Sequence, residues 1–309
     1  VSMEGYKEGD FAMTIGYPAR TDRYASSAEV NYQENVTLPV SNELVGARLK
    51  IMQKRMDADP VVRLKYSDRY FSLSNSQVNN LGVVSCYKRF GVLDEKLAQE
   101  RRMTKWIGSG AVQSGRWGGL IPELEEKYSE AAAIERDKVY YRETLLRGTF
   151  IGSYLLRAFN TKDFKRAKQI LSSAIKDTDP GVEKALLEYA LEEYFTNLDS
   201  YYSGPYQKWI QDRFGYSFDA MADYLWDSSL VSSTARIDAM ESLDDLETDP
   251  LRRFLTDSPI SLYNERNGHQ ETWNQAMELE REYKKALYWM RLNQGELQYP
   301  DANSTMRIS

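Results

Sequence analysis

Histidine and cysteine are almost absent from this sequence of 309 residues, and their scarcity excludes several kinds of chemistry. His269 is the only histidine, so a Ser-His-Asp or Cys-His arrangement would have to use it, and a zinc site would have one imidazole. Cys86 is the only cysteine and cannot form an internal disulfide, so cysteine usage does not report the redox compartment. The chain is poor in catalytic groups, and we expect no metal or other cofactor.

An excess of positive charge and a long apolar run are also lacking. Forty Lys and Arg residues against 46 Asp and Glu give a net charge of −6, which would repel a phosphate backbone and argues against nucleic acid as a partner. The most apolar stretch, 144–156, contains Arg147 and is shorter than the roughly 18 residues that cross a bilayer, so no membrane span is expected. The first residues resemble no signal peptide and do not begin with Met, which we interpret as a processed or truncated chain.

The residues that are present predict a mainly helical fold. Phe11–Tyr17 is a short run of β-formers that leads to Pro18, which predicts a strand leaving into a loop. From about residue 42 onward, apolar residues recur at steps of three and four, the spacing of an amphipathic helix. This spacing predicts helices over 42–58, 60–90, 92–107, 122–159, 164–175, 206–213, 217–225 and 270–292, and a further helix that begins at 180. The helix over 122–159 would have a kink near the glycines at 148 and 152.

Three Asp-Pro pairs, at 59–60, 179–180 and 249–250, predict where helices begin. Asp accepts hydrogen bonds from the free amides of a first turn, and Pro at the first helical position gives up no needed donor. Gly91 predicts the end of the helix that starts at Pro60. The segment Gly108–Gly119 holds five glycines but lacks the order of a P-loop or a dinucleotide site, so we interpret it as a loop or hairpin tip.

The remaining candidate groups fit structural roles better than catalytic ones. Acidic pairs such as Glu192-Glu193 and Asp244-Asp245 are typical of solvated helix faces, because an acid-base pair needs two different environments. Cys86 lies in a predicted helix, where a lone thiol is usually a small core residue. His269 is placed in a loop before the last helix, where it caps the helix or faces water. By themselves, these observations indicate a helical binding or regulatory module.

Two segments at the ends of the chain resemble signature motifs of bacterial serine dipeptidyl-peptidases of the dipeptidyl-peptidase 7 and 11 type. Residues 8–24 are similar to the family pattern Gly-Asp-Phe … Gly-Tyr-Pro-Gly-Arg-Thr-x-Arg-Tyr, with Ala19 in place of a glycine. Residues 299–307 are similar to Tyr-Pro-Asp-Ala-Asn-x-Thr-x-Arg. Between them, residues 62–75 look like the family helix that carries Ser-Asn-Tyr-Trp-Lys-Asn.

The resemblance implies a mainly α fold, a multi-helix bundle inserted between short β segments that belong to a chymotrypsin-like double β-barrel. Residues 1–38 would be the strand and loop at the end of the first barrel, 39–296 the helical substrate-gating domain, and 297–309 the start of the second barrel. In the family, the catalytic His and Asp precede the position of Val1 and the catalytic Ser follows that of Ser309, so we expect no catalytic residue in this chain. Asp10 lies in a second Gly-Asp-Phe, and we interpret it as a strand-edge residue.

One binding residue of the family falls inside the chain. Asn75 matches an asparagine whose side-chain carbonyl accepts a hydrogen bond from the free α-ammonium of the bound peptide. Asn79 matches the second asparagine of the same motif and is the less favoured candidate. Ser76 and Gln77 stand where the family has Tyr and Trp.

The resemblance therefore implies the helical regulatory domain of a serine exopeptidase that releases dipeptides from peptide N-termini, inactive by itself. Its partners would be a peptide with a free N-terminus and the flanking β-barrel of the same protein, and a homodimer stays open. The family also implies a bacterial protein with a periplasmic or exported location. The alternative, from a different class, is a non-catalytic helical peptide-binding or scaffold protein that has lost the triad.

Overall fold

Helices make up most of the protein in the computed structural model, and the mainly helical class predicted from the sequence is confirmed. The structure describes residues 5, 7–11 and 13, and the ranges 15–198, 206–258 and 260–308; side chains are described there except at 133, 260–269 and 308. No helix within these residues is long and apolar enough to cross a membrane.

Fifteen α-helices are described, and in chain order they are α1 (Ser27–Tyr32), α2 (Leu38–Ala58), α3 (Pro60–Phe90), α4 (Val92–Gly108), α5 (Ala111–Trp117), α6 (Leu120–Tyr141), α7 (Phe150–Asn160), α8 (Phe164–Asp177), α9 (Pro180–Asn197), α10 (Tyr206–Phe214), α11 (Phe218–Ser228), α12 (Thr234–Asp238), α13 (Asp244–Thr248), α14 (Pro250–Asp257) and α15 (Ile260–Asn293). Two π-helical turns follow α1 and α6, at Gln33–Thr37 and Arg142–Leu146, and a short 3-10 turn, Leu230–Ser232, precedes α12. The strands β1 (Ile15–Gly16) and β2 (Arg307–Ile308) pair antiparallel, with Ile15 opposite Ile308.

Each Asp-Pro pair opens a helix, as the sequence predicts. The side chains of Asp59, Asp179 and Asp249 accept hydrogen bonds from first-turn amides at 2.7, 3.0 and 2.9 Å. Proline follows each of them at the first helical position, where no amide donor is needed. These caps set the first residues of α3, α9 and α14.

Helix α3 is the element that carries the candidate binding residues. It has 31 residues, so it extends for about 45 Å. It ends at Gly91, whose φ of 59° is left-handed and whose amide bonds back to the carbonyls of the last turn. Both ends of this helix agree with the sequence prediction.

The single helix predicted over 122–159 is wrong, because the chain breaks between α6 and α7. Gly148 lies in this break, and a Cβ at that position would come within 1.7 Å of the Thr144 carbonyl oxygen. Only glycine permits this approach of the main chain to itself. The glycine at 148 therefore lies in an interruption between two helices rather than in a kink within one helix.

Three other local predictions also differ from the structure. The segment Gly108–Gly119 contains helix α5 instead of a loop, because Trp117 is buried and packs against Trp106 with 5.7 Å between ring centroids. Helix α15 begins at Ile260, ten residues before the predicted start, so the backbone at His269 is helical and its side chain lies outside the described residues. Residues 27–37 are helical as well, so the strand and loop expected for 1–38 end before Ser27.

Three apolar clusters form the core. One joins α1, α4, α5, α6 and α15, and a second joins α2, α3 and α9. The largest joins Leu44 of α2 to helices from α6 to α14. Helix α3 contributes to the second cluster through Val62 and the fully buried Tyr66. One side of α3 is thus fixed to the bundle, and its other side faces solvent.

Candidate functional site

The two segments that carry the family motifs meet in space. The Thr21 hydroxyl donates a hydrogen bond of 2.7 Å to the Asp301 carboxylate and accepts one of 2.9 Å from the amide of Ala302. The Tyr24 hydroxyl donates to the carbonyl oxygen of Tyr299. Residues almost 280 positions apart therefore form one joint beside the β1–β2 pair. These motif residues hold the two ends of the bundle together.

A pair of serines and a pair of buried glutamates fix the start of α1. Glu280 of α15 accepts hydrogen bonds from the amide and the hydroxyl of Ser26, at 3.0 and 2.7 Å. Glu100 of α4 does the same for Ser27, at 2.7 and 2.6 Å. Burial, and next the nearby carboxylate of Glu29, raise the pKa of Glu280 to about 7, although the bonds from Ser26 act in the opposite direction.

The sequence contained only half of the signal for this arrangement. Ser26 followed by Glu29 is a capping-box pattern, and the Ser26 hydroxyl does accept a hydrogen bond from the Glu29 amide at 3.1 Å. Nothing in the local sequence identifies Glu100 or Glu280 as partners, because they lie 73 and 254 residues away.

The predicted binding residues lie on the exposed face of α3. Asn75 and Asn79 are both exposed, and neither side chain has a hydrogen-bond partner among the described residues. Leu64, Phe71 and Val78 recur every seven residues, about two turns, and are 82%, 68% and 64% exposed. Asn75 follows Phe71 by four residues and precedes Val78 by three, so it lies within this apolar stripe.

The opposite side of α3 is anchored by a buried polar network. The Tyr66 hydroxyl donates a hydrogen bond of 2.6 Å to Glu183 of α9 and accepts one of 3.0 Å from the amide of Asp179. The second oxygen of Glu183 accepts from the amide of Ile151, at 2.9 Å, in the first turn of α7. Burial raises the pKa of Glu183, whereas the bonds from Ile151 and Tyr66 oppose the rise. Three helices are joined through one carboxylate.

Arg69 adds a second anchor one turn away from Tyr66. Its guanidinium lies over the rings of Tyr66, Phe150 and Tyr154, with 5.0 to 5.8 Å to the ring centroids. It also donates a 2.5 Å hydrogen bond to the carbonyl oxygen of Asp177. Cation-π contacts of this kind stabilise packing between helices. These contacts fix the part of α3 that precedes Asn75 to the bundle.

A cavity of about 530 Å³ lies on the anchored side of α3. Leu73, Ser76 and Asn80 line it from α3, and α2, α6 and α15 supply other walls. These three residues point away from the apolar stripe, because residues about half a turn apart lie on opposite faces of a helix. Asn75 and Asn79 therefore do not line this cavity.

The other residues considered from the sequence do not form a reaction centre. Cys86 is exposed on α3, so its expected place in the core is wrong: the helix turns this position away from α2. Asp10 lies in a turn, where it accepts a hydrogen bond of 2.7 Å from the Lys7 amide, and not on a strand. Among the described residues, no group of three or more His, Cys, Asp or Glu side chains could hold a metal ion.

The acidic residues noted in the sequence either face solvent or make local contacts. Glu192 and Asp244 are exposed, as predicted, and Asp245 accepts hydrogen bonds from two amides, which lower its pKa. Glu193 is only half-buried, and burial raises its pKa, with the nearby Glu43 as the next cause. Exposure or local hydrogen bonding therefore accounts for the acidic residues in these pairs.

The whole chain matches a single protein family. The family model for Peptidase S46 covers residues 1–309, and the chain belongs to this family. The resemblance to dipeptidyl-peptidases of types 7 and 11 drawn from the end motifs is thereby confirmed. The description of the family is that of a peptidase.

Individual relatives agree with this assignment. The chain is 29% identical over 322 residues to dipeptidyl-peptidase 7 of Porphyromonas endodontalis, and 26% identical over 330 residues to the Asp/Glu-specific dipeptidyl-peptidase of Porphyromonas gingivalis. All of the chain is covered in both cases, but only 39% and 45% of the relatives. The chain thus spans less than half the length of these curated relatives.

A solved structure shows the same fold. The crystal structure of Porphyromonas endodontalis DPP11 in complex with the dipeptide Arg-Glu superposes with a TM-score of 0.82 at 21% identity. The match covers 100% of this chain and 46% of that one. The arrangement of helices seen here is therefore the fold of the corresponding part of that structure.

Proposed function

We propose that this chain is the helical substrate-gating domain of a serine exopeptidase that releases dipeptides from peptide N-termini. Its family, and relatives named as dipeptidyl-peptidases, support this reaction class. The catalytic His, Asp and Ser would be supplied by polypeptide outside this segment, in a chymotrypsin-like double β-barrel that the short β ends would join. Residues 39–296 would form the helical domain, between barrel segments at 1–38 and 297–309. Within the first segment, only the part before Ser27 would be strand and loop, because residues 27–37 are helical.

The joint between the chain ends supports the proposed insertion. A domain inserted into a barrel needs its entry and exit strands close together, because both must return to the same sheet structure. β1 and β2 pair directly, and Thr21 and Asp301 are hydrogen-bonded beside them. The exposed Phe11, at 90%, and Ile15, at 58%, lie on the entering segment, where barrel residues would cover them.

The observation that carries the proposal is the position of Asn75. It lies without a partner in the described chain, in the middle of the exposed apolar stripe of α3, on a helix that Tyr66 and Arg69 fix to the bundle. In the proposed arrangement, Asn75 would face the barrel across a cleft. Its side-chain carbonyl would then accept a hydrogen bond from the α-ammonium of the peptide. Only a peptide with a free N-terminus offers this charge-assisted bond, which would limit cleavage to dipeptides.

The test is the substitution Asn75→Ala in the complete protein, with Asn79→Ala as the matched control one turn further along α3. Loss of one hydrogen bond to a charged group costs about 1.5 to 3 kcal/mol, or roughly ten- to a hundredfold in kcat/KM. We expect Asn75→Ala to lower kcat/KM by this factor for dipeptidyl substrates with a free amine. Substrates with an acylated amine should be unaffected, because they have no ammonium to bind.

Two results would count against this assignment. Equal effects of Asn75→Ala and Asn79→Ala would show that either change only disturbs the helix. Equal effects on free and acylated substrates would show that Asn75 does not bind the ammonium. A complete protein that binds peptides without any turnover would instead favour the non-catalytic peptide-binding or scaffold protein.

A further inference from the structure

The cavity on the anchored side of α3 has more positive than negative charge. Its charged lining residues are Arg20, Glu29, Arg48, Arg142, Glu143 and Arg147. Arg20 is paired with Asp22 at 3.1 Å, and the other three arginines against Glu143 leave an excess of two positive charges around that carboxylate. Its volume of about 530 Å³ is within the usual range of small-molecule sites, roughly 300 to 1,000 Å³.

The negative charge of Glu143 is already shared among three arginines. One oxygen lies 3.3 Å from Arg48, and the other lies 2.9 Å from Arg142 and 3.9 Å from Arg147. Glu29, the other glutamate, lies 3.8 Å from Lys284. Neither carboxylate is therefore free to neutralise the remaining positive charge.

Arg48 is the deepest of these arginines and is incompletely paired. The residue is 3% exposed, and burial lowers its pKa, although Glu143 opposes this. Within the described part of the chain, its guanidinium donates a hydrogen bond to Glu143 through one terminal nitrogen, and the buried Nε has no partner. A buried donor of this kind is costly to leave unpaired, and more so when it is charged. An anion in the cavity would remove that cost.

The wall beyond Arg48 is aromatic. Tyr32, Tyr128 and Trp273 line the cavity and contact one another, with 5.6 to 6.0 Å between ring centroids. Tyr128 is 4% exposed, and its hydroxyl has no hydrogen-bond partner in the described chain. The cavity therefore has a cationic part around Arg48, an apolar wall, and two further polar atoms without a hydrogen-bond partner in the described chain, the Tyr128 hydroxyl and Oε2 of Glu29.

We propose that this cavity binds a small organic anion through a carboxylate, with the guanidinium of Arg48 and the hydroxyl of Tyr128 as its hydrogen-bonding groups. The planar guanidinium matches a carboxylate in geometry. The apolar wall favours a ligand with a carbon body over inorganic phosphate, and the charge excess disfavours a cation. The carboxylate belongs to a free dicarboxylic acid or to the C-terminus or side chain of a short peptide.

Isothermal titration calorimetry of the complete protein tests this with three probes: succinate, the dipeptide Gly-Asp and inorganic phosphate. We expect succinate or Gly-Asp to bind, and to bind more tightly than phosphate. Arg48→Lys keeps the charge beside Glu143 but loses the planar fork, and should weaken binding by about tenfold or more. Tyr128→Phe keeps the ring and removes only the hydroxyl, so it should also weaken binding. If Arg48→Lys does not fold, Tyr128→Phe tests the proposal by itself.

Two controls separate this cavity from other sites. Arg102→Gln removes an exposed arginine of α4 that does not line the cavity, and should leave binding unchanged. Asn75→Ala should also leave it unchanged, because Asn75 lies on the other face of α3; a loss there would mean that Gly-Asp binds at the proposed peptide site instead. The proposal is overturned if no probe binds at about 10 mM, if phosphate binds as well as succinate, or if both cavity variants bind like the unmodified protein.

Discussion

The substitution Glu280→Gln tests how a buried carboxylate at the start of α1 controls stability. Glu280 is 4% exposed and accepts two hydrogen bonds from Ser26. Burial and the nearby Glu29 raise its pKa from 4.5 to about 7, and the cation of Lys284, at 3.8 Å, offsets only part of this rise. Gln has a similar shape, retains an acceptor for the Ser26 amide and stays neutral at every pH.

The sign of the pH effect follows from where the proton is bound. Between pH 4.5 and about 7, the folded protein binds a proton at Glu280 that the unfolded chain has released. The free energy of unfolding therefore falls as the pH rises through this window. At about 1.4 kcal/mol per pH unit, the free energy of unfolding falls by at most on the order of 3 kcal/mol between pH 4.5 and about pH 7. Gln at position 280 does not titrate, so this part of the decrease in the free energy of unfolding should disappear in Glu280→Gln.

Urea denaturation followed by far-UV circular dichroism, at several values between about pH 5 and pH 8, measures this difference. Relative to the unmodified protein, Glu280→Gln should become more stable as the pH rises. Glu278→Gln is the control, because Glu278 is an exposed carboxylate two residues earlier on the same helix. If Glu280→Gln and the unmodified protein lose the same free energy across the range, the carboxylate is ionised in the fold and the argument from burial fails.

Three further outcomes are expected. Tyr66→Phe removes the donor to the buried Glu183 and should lower the free energy of unfolding by about 1 to 3 kcal/mol in urea denaturation; an unchanged midpoint would contradict the role of this bond. Gly148→Ala should destabilise by about 2 kcal/mol or more, because its Cβ would overlap a carbonyl oxygen, whereas Gly115→Ala, with open space around it, should be nearly neutral or stabilising in the same assay. The 309-residue chain alone should show no turnover of dipeptidyl chromogenic substrates and no fluorophosphonate labelling, and specific labelling that peptide suppresses would show that it holds a nucleophile.

The helix boundaries marked by Asp-Pro pairs and by Gly91 agree with the sequence prediction, unlike several boundaries without such signals. The first residues of α3, α9 and α14 follow Asp-Pro pairs, and the last residue of α3 precedes Gly91. Each of these signals acts within one turn of the helix it starts or ends, so the neighbouring residues carry the whole interaction. The segment Gly108–Gly119 shows the limit: its glycines favour a loop, but burial of Trp117 in the bundle overrides that preference.

The binding role of Asn75 stays a prediction, whereas the helix that carries it can be checked. Sequence similarity located Asn75 on a helix, and the structure confirms that helix. Helical spacing could not say which face of α3 is buried, because apolar residues such as Val62 and Phe71 occur on both faces. Cys86 was misplaced for the same reason: the exposed side of this helix is nearly as apolar as its buried side.

By itself, the sequence determined the helical class, the capped ends of the helices and, through its two end motifs, the family. The tertiary structure alone decided that Ser26 pairs with Glu280, 254 residues away, and that Thr21 pairs with Asp301, 280 residues away. It also decided that arginines of α2 and of the turn after α6 surround one cavity. Such pairs depend on which helices become neighbours when the whole core packs. The donors to a buried carboxylate can lie anywhere along the chain, so no spacing in the sequence predicts them.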